Sequence, residues 1–301
     1  MKFPDTIVEL HVYNASHVTR EMLDSLFGIF SEAAGVLNSK IKVVKTGVIE
    51  LNRDDILYFI INAAGLRERV SQYPKYFVVY QLDQLLPTFR YLLDNVEYIN
   101  ILKRSLMSWD YNPGNVEVLH QEGVPNSIYV PVCYHKSLSS PLVLQDSYVY
   151  SDEKKEYDVV FLGWPTHYPR RVQILTKLVE NDVNVGCWWT LGPDEMKEKI
   201  LSAKIILNMR AIDIGRLETV RLAITLSNYA CVVSERSADS TLDAEYEAGG
   251  VLFVGYDELV PTILKVLKDF DLRKSLAEKS FKWFAGRSLT ALTNIQELLP
   301  L

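Results

Sequence analysis

The chain has 301 residues, enough for two domains of ordinary size, and at 48% hydrophobic and 23% charged it reads as globular, with little room for long disordered segments. Its formal net charge of −6 excludes a general electrostatic attraction to nucleic acid or to an anionic membrane surface. Three widely spaced cysteines, Cys133, Cys187 and Cys231, lie in apolar stretches and read as buried reduced thiols, with no CxxC pair or Cys/His cluster to hold a metal. Met1 to Asp5 lacks the apolar core of a signal segment, and no run of about 18 apolar residues could span a bilayer, so a cytoplasmic protein without a membrane span is expected.

Short β-branched runs alternate with helical periodicity, the pattern of parallel sheets covered by helices. The first strand is expected over Thr6–Val12, followed by a helix with Leu23, Leu26, Phe27 and Phe30 on its inward face. Further strands are expected at Ile41–Val44, Ile56–Ile61 and Tyr76–Gln81. Ile128–Val132 reads as the last strand of this half, with Pro131 placing it toward an edge or an end.

Periodicity fades between about Ser137 and Glu156, where serines, Pro141 and the charged run Asp152 to Glu156 read as a linker. A second series opens with Asp158–Gly163. A helix follows Pro169, a residue suited to a first helical position, with Val172, Leu175 and Val179 expected inward. Strands at Ile205–Asn208, Cys231–Ser234 and Val251–Val254 alternate with more helices, and a last helical stretch at Leu289–Leu299 could return across the first half. The division read from this is residues 1–136, a linker 137–156, residues 157–285, and a C-terminal helix within 286–301 packing back on the first domain.

In open α/β sheets, ligands bind at the carboxyl ends of the strands. After the strand that ends at Gly163 comes a loop with His167, then Arg170 and Arg171 in a first helical turn, where positive charge opposes the helix dipole. Either a phosphate is bound there or two solvated arginines start a helix. After Asn208 follows a polar loop with Arg210, and a helix is expected to start near Arg216. Glu218 and Arg221 would then share one face of its first turns: a carboxylate for sugar or ribose hydroxyls and a guanidinium for a diphosphate, or an ordinary ion pair. Ser234-Glu235 places another carboxylate at the same edge. Trp188 and Trp189 follow an apolar run, and Trp189 is a candidate to stack on a nucleobase. In the first half, Tyr80-Gln81-Leu82-Asp83-Gln84 follows one apolar strand and Trp109-Asp110 lies at the end of another apolar run.

Gly163 after an apolar strand, then Glu218-Thr-Val-Arg221-Leu222 and Cys231-Val-Val-Ser-Glu235, resembles the donor half of GT-B glycosyltransferases, in particular the exostosin-like branch. The order of the Tyr80–Leu85, Trp109–Asn115 and Val130–His135 segments resembles a group of bacterial GT-B-like proteins, and the likeness spans roughly residues 76 to 260. Ile224 stands where that pattern has Glu, Tyr229-Ala230 where it has Gly and a small residue, and Asp83 where it has Glu. The Glu-x7-Glu pair of retaining members is therefore not intact.

The resemblance implies an α/β protein of two Rossmann-like domains facing each other across a cleft. It would transfer a sugar from a nucleotide diphosphate sugar, with UDP expected, to a hydroxyl of a glycan or other acceptor, without a metal and with inversion expected over retention. The donor would rest on Gly163, His167, Arg170, Arg171, Trp189, Asn208, Arg210, Arg216, Glu218, Arg221 and Glu235. The acceptor would rest on Tyr80, Gln81, Gln84 and Asp110. Asp83 is the expected general base, with His11, His17 and Asp110 in reserve, and Arg221 and Glu218 complete the catalytic set. No G-x-G-x-x-G turn follows either opening strand, which argues against a dinucleotide enzyme. A catalytically degenerate scaffold or a two-lobed ligand-binding protein stays as the alternative, and the oligomeric state stays open.

Overall fold

The structure, a computed structural model, describes residues 3–16, 19–66, 73–88 and 90–301. It divides into two units, Met1–Ser137 with Ser288–Leu301, and Leu138–Arg287.

In the first unit, β1 (Glu9–Asn14), α1 (Arg20–Val36), β2 (Lys42–Thr46), β3 (Ile56–Ile61), β4 (Tyr76–Gln81), α2 (Val96–Arg104), β5 (Met107–Asp110), α3 (Pro113–Gln121) and β6 (Ser127–Tyr129) follow in order. The strands form one parallel sheet in the order β2-β1-β3-β4-β5-β6. Every residue of β3 is buried, as expected of a central strand covered on both faces. At the outer position β2 carries Lys42 and Lys45, charges that protect an open sheet edge from further pairing. β6 ends at Tyr129, two residues short of Pro131, so the expected strand to Val132 is cut to three residues.

α1 is turned from the expected orientation. Met22, Leu26, Ile29, Phe30 and Ala33 are buried, while Leu23 and Phe27 are only half-buried. The helix is apolar over more than one face, so periodicity alone leaves its rotation undecided. The edge-on contacts of Phe30 with Phe59 (4.9 Å) and Trp109 (6.2 Å) select it.

The second unit contains β7 (Tyr157–Leu162), α4 (Pro169–Glu180), β8 (Val185–Trp188), α5 (Pro193–Leu201), β9 (Ala203–Asn208), α6 (Thr219–Leu226), β10 (Val232–Glu235), α7 (Ser240–Ala248), β11 (Leu252–Val254), α8 (Leu259–Leu267) and α9 (Phe270–Ala285). Its sheet is parallel, in the order β11-β10-β9-β7-β8. On α4 the buried residues are Arg171, Ile174 and Leu178; Val172 and Val179 are exposed and Leu175 half-buried, which corrects the expected inward face. Ile174 with Leu178 and Leu175 with Val179 are both i,i+4 stripes on the helix. Arg171, buried and bonded to three backbone carbonyls, fixes which one turns inward.

The chain after Ser288 belongs to the first unit, as α10 (Leu289–Leu292) and α11 (Ile295–Leu298). The single C-terminal helix expected here is broken at Thr293, which is extended and bonds its hydroxyl back to the Leu289 carbonyl at 2.7 Å.

Residues following Leu138 are held on the C-terminus of α6 by Asn228. Its amide donates to the carbonyls of Leu138 (2.8 Å) and Ile224 (2.7 Å), both in a buried setting, and accepts from Ser140 N–H (2.6 Å). Asn228→Ala strands these backbone groups away from water and is expected to cost about 2–3 kcal/mol, measured as a lower urea midpoint with unchanged slope.

Candidate functional site

The carboxyl ends of β7, β8, β9 and β10 bring together most of the second-half residues singled out above. Glu235, the last residue of β10, is fully buried, and each of its carboxylate oxygens accepts two hydrogen bonds. One takes Arg170 Nη2 (2.6 Å) and Arg210 Nη2 (2.5 Å), the other Arg170 Nη1 (2.7 Å) and the Arg210 amide (3.1 Å). Burial works to raise the Glu235 pKa, but the two guanidiniums outweigh it and hold the carboxyl below the usual range. Arg170 also donates from Nε to Asp213 (2.9 Å) and lies over the Tyr256 ring at 4.3 Å. Arg170 and Arg210 together neutralise Glu235, while Arg210 Nε stays buried without a partner.

Arg171 is committed differently. Its guanidinium donates to the carbonyls of Trp164 (3.0 Å), Met209 (3.2 Å) and Arg210 (3.3 Å), tying the loop after β7 to the loop after β9. Burial first, and the neighbouring Arg221 charge second, lower it to about 10. Arg216 pairs with Asp239 at 3.1 Å, and the same carboxylate accepts the Leu217 amide.

Arg221 stands apart. Nη1 donates to Asn208 Oδ1 at 2.8 Å, and no carboxylate among the described residues lies within ion-pair distance of it. Asn208 in turn donates to Ser234 Oγ at 2.9 Å. The guanidinium lies close against residue 163, which is glycine: a Cβ there would sit 3.3 Å from Arg221 Nη2 and 2.9 Å from the Phe161 ring. α6 starts at Thr219, three residues later than expected, which makes Glu218 its N-cap; the Glu218 side chain makes no capping bond and is half-buried. Thr219 is buried, and its hydroxyl has no partner. A cation without a counter-ion thus sits on a helix whose first amides carry no side-chain cap, an arrangement that suits an anion.

Beside it, Trp164 and Trp189 leave β7 and β8 with their rings parallel to within 4° and centroids 6.2 Å apart, and both are exposed. His167, also exposed, packs on Trp164 at 4.1 Å. Trp164 was not singled out from sequence; its place directly after Gly163 was the available signal.

In the first unit, Gln81 and Asp110 face each other across β4 and β5. Asp110 is buried and accepts from the Asn112 amide (2.9 Å) and Asn115 Nδ2 (3.0 Å). Gln81 accepts from the Asp83 amide (2.6 Å) and donates to its carbonyl, which Asn115 also contacts at 3.0 Å. These bonds lock the Asp83 peptide onto the start of α3, while the Asp83 and Gln84 side chains are half-buried at the rim. Tyr80 is interior, with its hydroxyl on the Val130 carbonyl at 2.9 Å. His11 is a buried strand residue bonded to Glu9 at 2.6 Å and packed edge-on to Tyr58. His17 lies outside the described residues.

One group at this edge had no sequence signal. Glu21, in the first turn of α1, is buried, and its carboxyl is pushed up to about 7 by burial, against a smaller lowering by its own amide. Thr19 Oγ1 and Ser25 Oγ, on the same turns, are buried without partners. A glutamate early in a helix is favoured by the dipole and draws no notice in a sequence.

Among the described residues no group of three or more His, Cys, Asp or Glu could hold a metal, and no helix is long and apolar enough to cross a membrane. Cys133 and Cys231 are buried and Cys187 half-buried, all as free thiols.

Solved structures match this architecture along nearly all of its length. An alpha-glucosyltransferase solved with UDP and a 13-mer DNA containing an HMU base has TM-score 0.60 at 9% identity, covering 97% of this chain and 98% of its own. Sucrose-phosphate synthase from Thermosynechococcus elongatus has TM-score 0.56 at 9% identity, covering 96% of each chain. The T4 phage BGT in complex with UDP-glucose has TM-score 0.54 at 15% identity, covering 92% of this chain and 94% of its own. The fold is GT-B. No family model matches the chain. It is 30% identical over 175 residues, 56% of its length, to one uncharacterized protein of Acanthamoeba polyphaga mimivirus, and 29% identical over 187 residues to a second. The chain spans about a fifth of the length of these relatives, 19% and 23%.

Two stability predictions follow from the ionised groups of this GT-B chain. Removing the Glu235 carboxylate in Glu235→Ala leaves Arg170 and Arg210 facing each other over a buried void and is expected to cost about 3–5 kcal/mol, measured by denaturant unfolding at neutral pH. Glu21 has the opposite sign. Its folded pKa, about 7, lies above the ordinary 4.5, so the folded state binds the proton more tightly and stability falls as pH rises from about 4.5 to about 7. Glu21→Gln is therefore expected to be more stable than wild type by roughly 3 kcal/mol near pH 8 and equal to it near pH 4, read from paired urea titrations.

Proposed function

We propose that the chain is a glycosyltransferase that moves a sugar from a UDP-sugar to a hydroxyl of a glycan or related acceptor, with the donor on the second unit and the acceptor on the first. The observation that carries this reading is Arg221: a guanidinium at the uncapped start of α6, laid over Gly163 and bonded to a neutral amide instead of a carboxylate. A diphosphate would supply the missing counter-charge and accept from the first amides of α6 and from the Thr219 hydroxyl. As the bond from the anomeric carbon to the diphosphate lengthens, negative charge grows on the leaving oxygens, and donors fixed there stabilise it without reorganising. Arg171, cationic and buried behind Arg221, adds to the same positive field. Arg170, Arg210 and Glu235 hold the loops that shape this site and leave the phosphate contact to Arg221.

Uracil as the base is supported by the UDP and UDP-glucose bound to two of the similar structures. Trp189, with Trp164 beside it, offers an exposed aromatic face on which a base would stack. Glu218, half-buried at the start of α6, is placed to accept a ribose or sugar hydroxyl. On the first unit, Asp83 is the half-buried carboxylate at the rim, and we assign it to the acceptor, receiving a hydrogen bond from an acceptor hydroxyl. Gln84 stands beside it, while Gln81 and Asp110 hold its peptide in place. A donor-binding protein without turnover is the second reading, favoured by one observation: Ile224, fully buried, occupies the place of a glutamate in the resembling pattern.

UDP in the presence of EDTA is expected to raise the melting midpoint in a concentration-dependent way. Arg221→Ala, still folded, should weaken UDP binding by about 10- to 100-fold, the loss of one charge-assisted pair of hydrogen bonds. Asp83→Asn should leave UDP affinity unchanged and lower UDP release from UDP-glucose in the presence of acceptor. Unchanged UDP affinity in Arg221→Ala would remove the donor assignment, and UDP binding without release would favour the second reading.

A further inference from the structure

β7 and β8 run parallel with Leu162 beside Trp188, and the Gly163 amide donates to the Trp188 carbonyl at 2.7 Å. The two strands are thereby tied together at their carboxyl ends, and Trp164 and Trp189 leave them side by side. Their rings are parallel to within 4° with centroids 6.2 Å apart, and the residues are 45% and 52% exposed. A single exposed aromatic residue is ordinary on a protein surface. Two held parallel are not, since both keep a large apolar ring in contact with water.

Trp164 is also fixed in place. Its Nε1 donates to Thr166 Oγ1 at 2.9 Å, His167 packs against its ring at 4.1 Å, and its carbonyl accepts from the buried Arg171 at 3.0 Å. Ordering an exposed side chain costs conformational entropy and buries little in return; what it achieves is a ring face held ready for a ligand. Several main-chain groups around the rings are engaged within the protein. The Gly163 amide is used on Trp188, the Gly163 carbonyl meets Cys187 Sγ at 3.7 Å, and the Pro165 carbonyl accepts the Tyr168 amide at 3.1 Å. Groups that could read the edge of a planar ligand are thus drawn inward, while the ring faces stay open.

The pair is continuous with the donor site. Trp164 follows Gly163, and Arg221 Nη2 lies 3.3 Å from where a Cβ on Gly163 would sit. Along the sheet order β9-β7-β8, Asn208, the partner of Arg221, ends β9, Gly163 follows β7, and the tryptophans follow β7 and β8. A nucleotide with its diphosphate on Arg221 has its base one ribose away, and the flat faces are offered on the β8 side.

We propose that Trp164 and Trp189 grip the base of the donor nucleotide by its ring faces, so that the site accepts pyrimidine and purine nucleoside diphosphates alike. This rests on the transferase reading above and widens its donor class. Every base has a π-face, so stacking tolerates base identity, whereas strong discrimination comes from hydrogen bonds that only the right ligand can complete. Thr166 is a positioning residue that acts through Trp164.

The experiment titrates UDP, CDP, ADP and GDP by calorimetry, with inorganic pyrophosphate as a probe that carries no base, and follows tryptophan emission in each titration. Wild type should bind all the nucleotides within about 10-fold of one another, each quenching the emission, while pyrophosphate binds without quenching. Trp164→Ala and Trp189→Ala should each weaken every nucleotide by about 10- to 100-fold, the contribution of one stacked base, and leave pyrophosphate affinity unchanged. Thr166→Val should weaken the nucleotides by about 2- to 10-fold, the worth of one hydrogen bond, and Thr166→Ser should restore them. A preference for UDP above about 100-fold means that base edges are read; it overturns the proposal and leaves the transferase reading standing. Nucleotide affinity unchanged in both tryptophan variants does the same, as does an equal loss for pyrophosphate, which would make the rings structural. Losses confined to UDP-glucose, with UDP unaffected, would put the sugar on the rings and also overturn it. A wild type that binds neither nucleotide nor pyrophosphate overturns both.

Discussion

The donor half is organised around one buried carboxylate. Glu235 ends β10 with no solvent to satisfy it, and a bare charge there would be costly enough to force protonation. Two arginines from two different loops remove that cost, Arg170 from the start of α4 and Arg210 from the end of β9, and each is thereby fixed in place. Because Arg210 also gives its backbone amide to the same carboxylate, the main chain after β9 is anchored as firmly as the side chain. Arg171, the next residue after Arg170, then closes on carbonyls of both loops. Three loops that would otherwise be free to move become one frame.

That frame explains why several arginines at one sheet edge do not act alike. Arg170 and Arg210 spend their donors on Glu235, Arg171 on backbone carbonyls, and Arg216 meets Asp239. Their charges still contribute to the local field, but most of their donors are already used, Arg210 Nε and Arg216 Nε being the exceptions. Arg221 is hydrogen-bonded by Asn208, itself tied to Ser234, and lies over the Phe161 ring, so it is positioned by neutral groups that leave its charge uncompensated among the described residues. Rigid neighbours and a cation without a carboxylate partner are what a site needs if its donors are to be in place before charge develops on a ligand.

Much of the strand order was legible because buried parallel strands are written as continuous apolar runs. Ile56–Ile61 and Tyr76–Gln81 read directly to their ends. β5 and β8, four residues each, are too short to show a period and were seen only as apolar runs. Helix rotation was less legible. α4 carries two stripes of equivalent spacing, and the choice between them depended on where a buried arginine finds carbonyls, which is tertiary information. The cluster of charged residues around Arg210 to Arg221 was visible as composition. Which arginine is neutralised and which is not could not be read from spacing, since Glu235 lies 25 residues beyond Arg210 and 65 beyond Arg170.

Glu21 shows the same limit from the other side. Its position in a helix's first turn is the commonest place for a glutamate, so its identity carries no information; its burial carries all of it. A glutamine of the same shape would fill the space without the cost of desolvating a charge. A sequence under selection for stability alone has that easy substitution open to it, and residues that weaken a fold in this way are characteristically those a reaction requires. The hydroxyls of Thr19 and Ser25, also on α1, repeat the pattern, since each forgoes a bond that helix geometry offers.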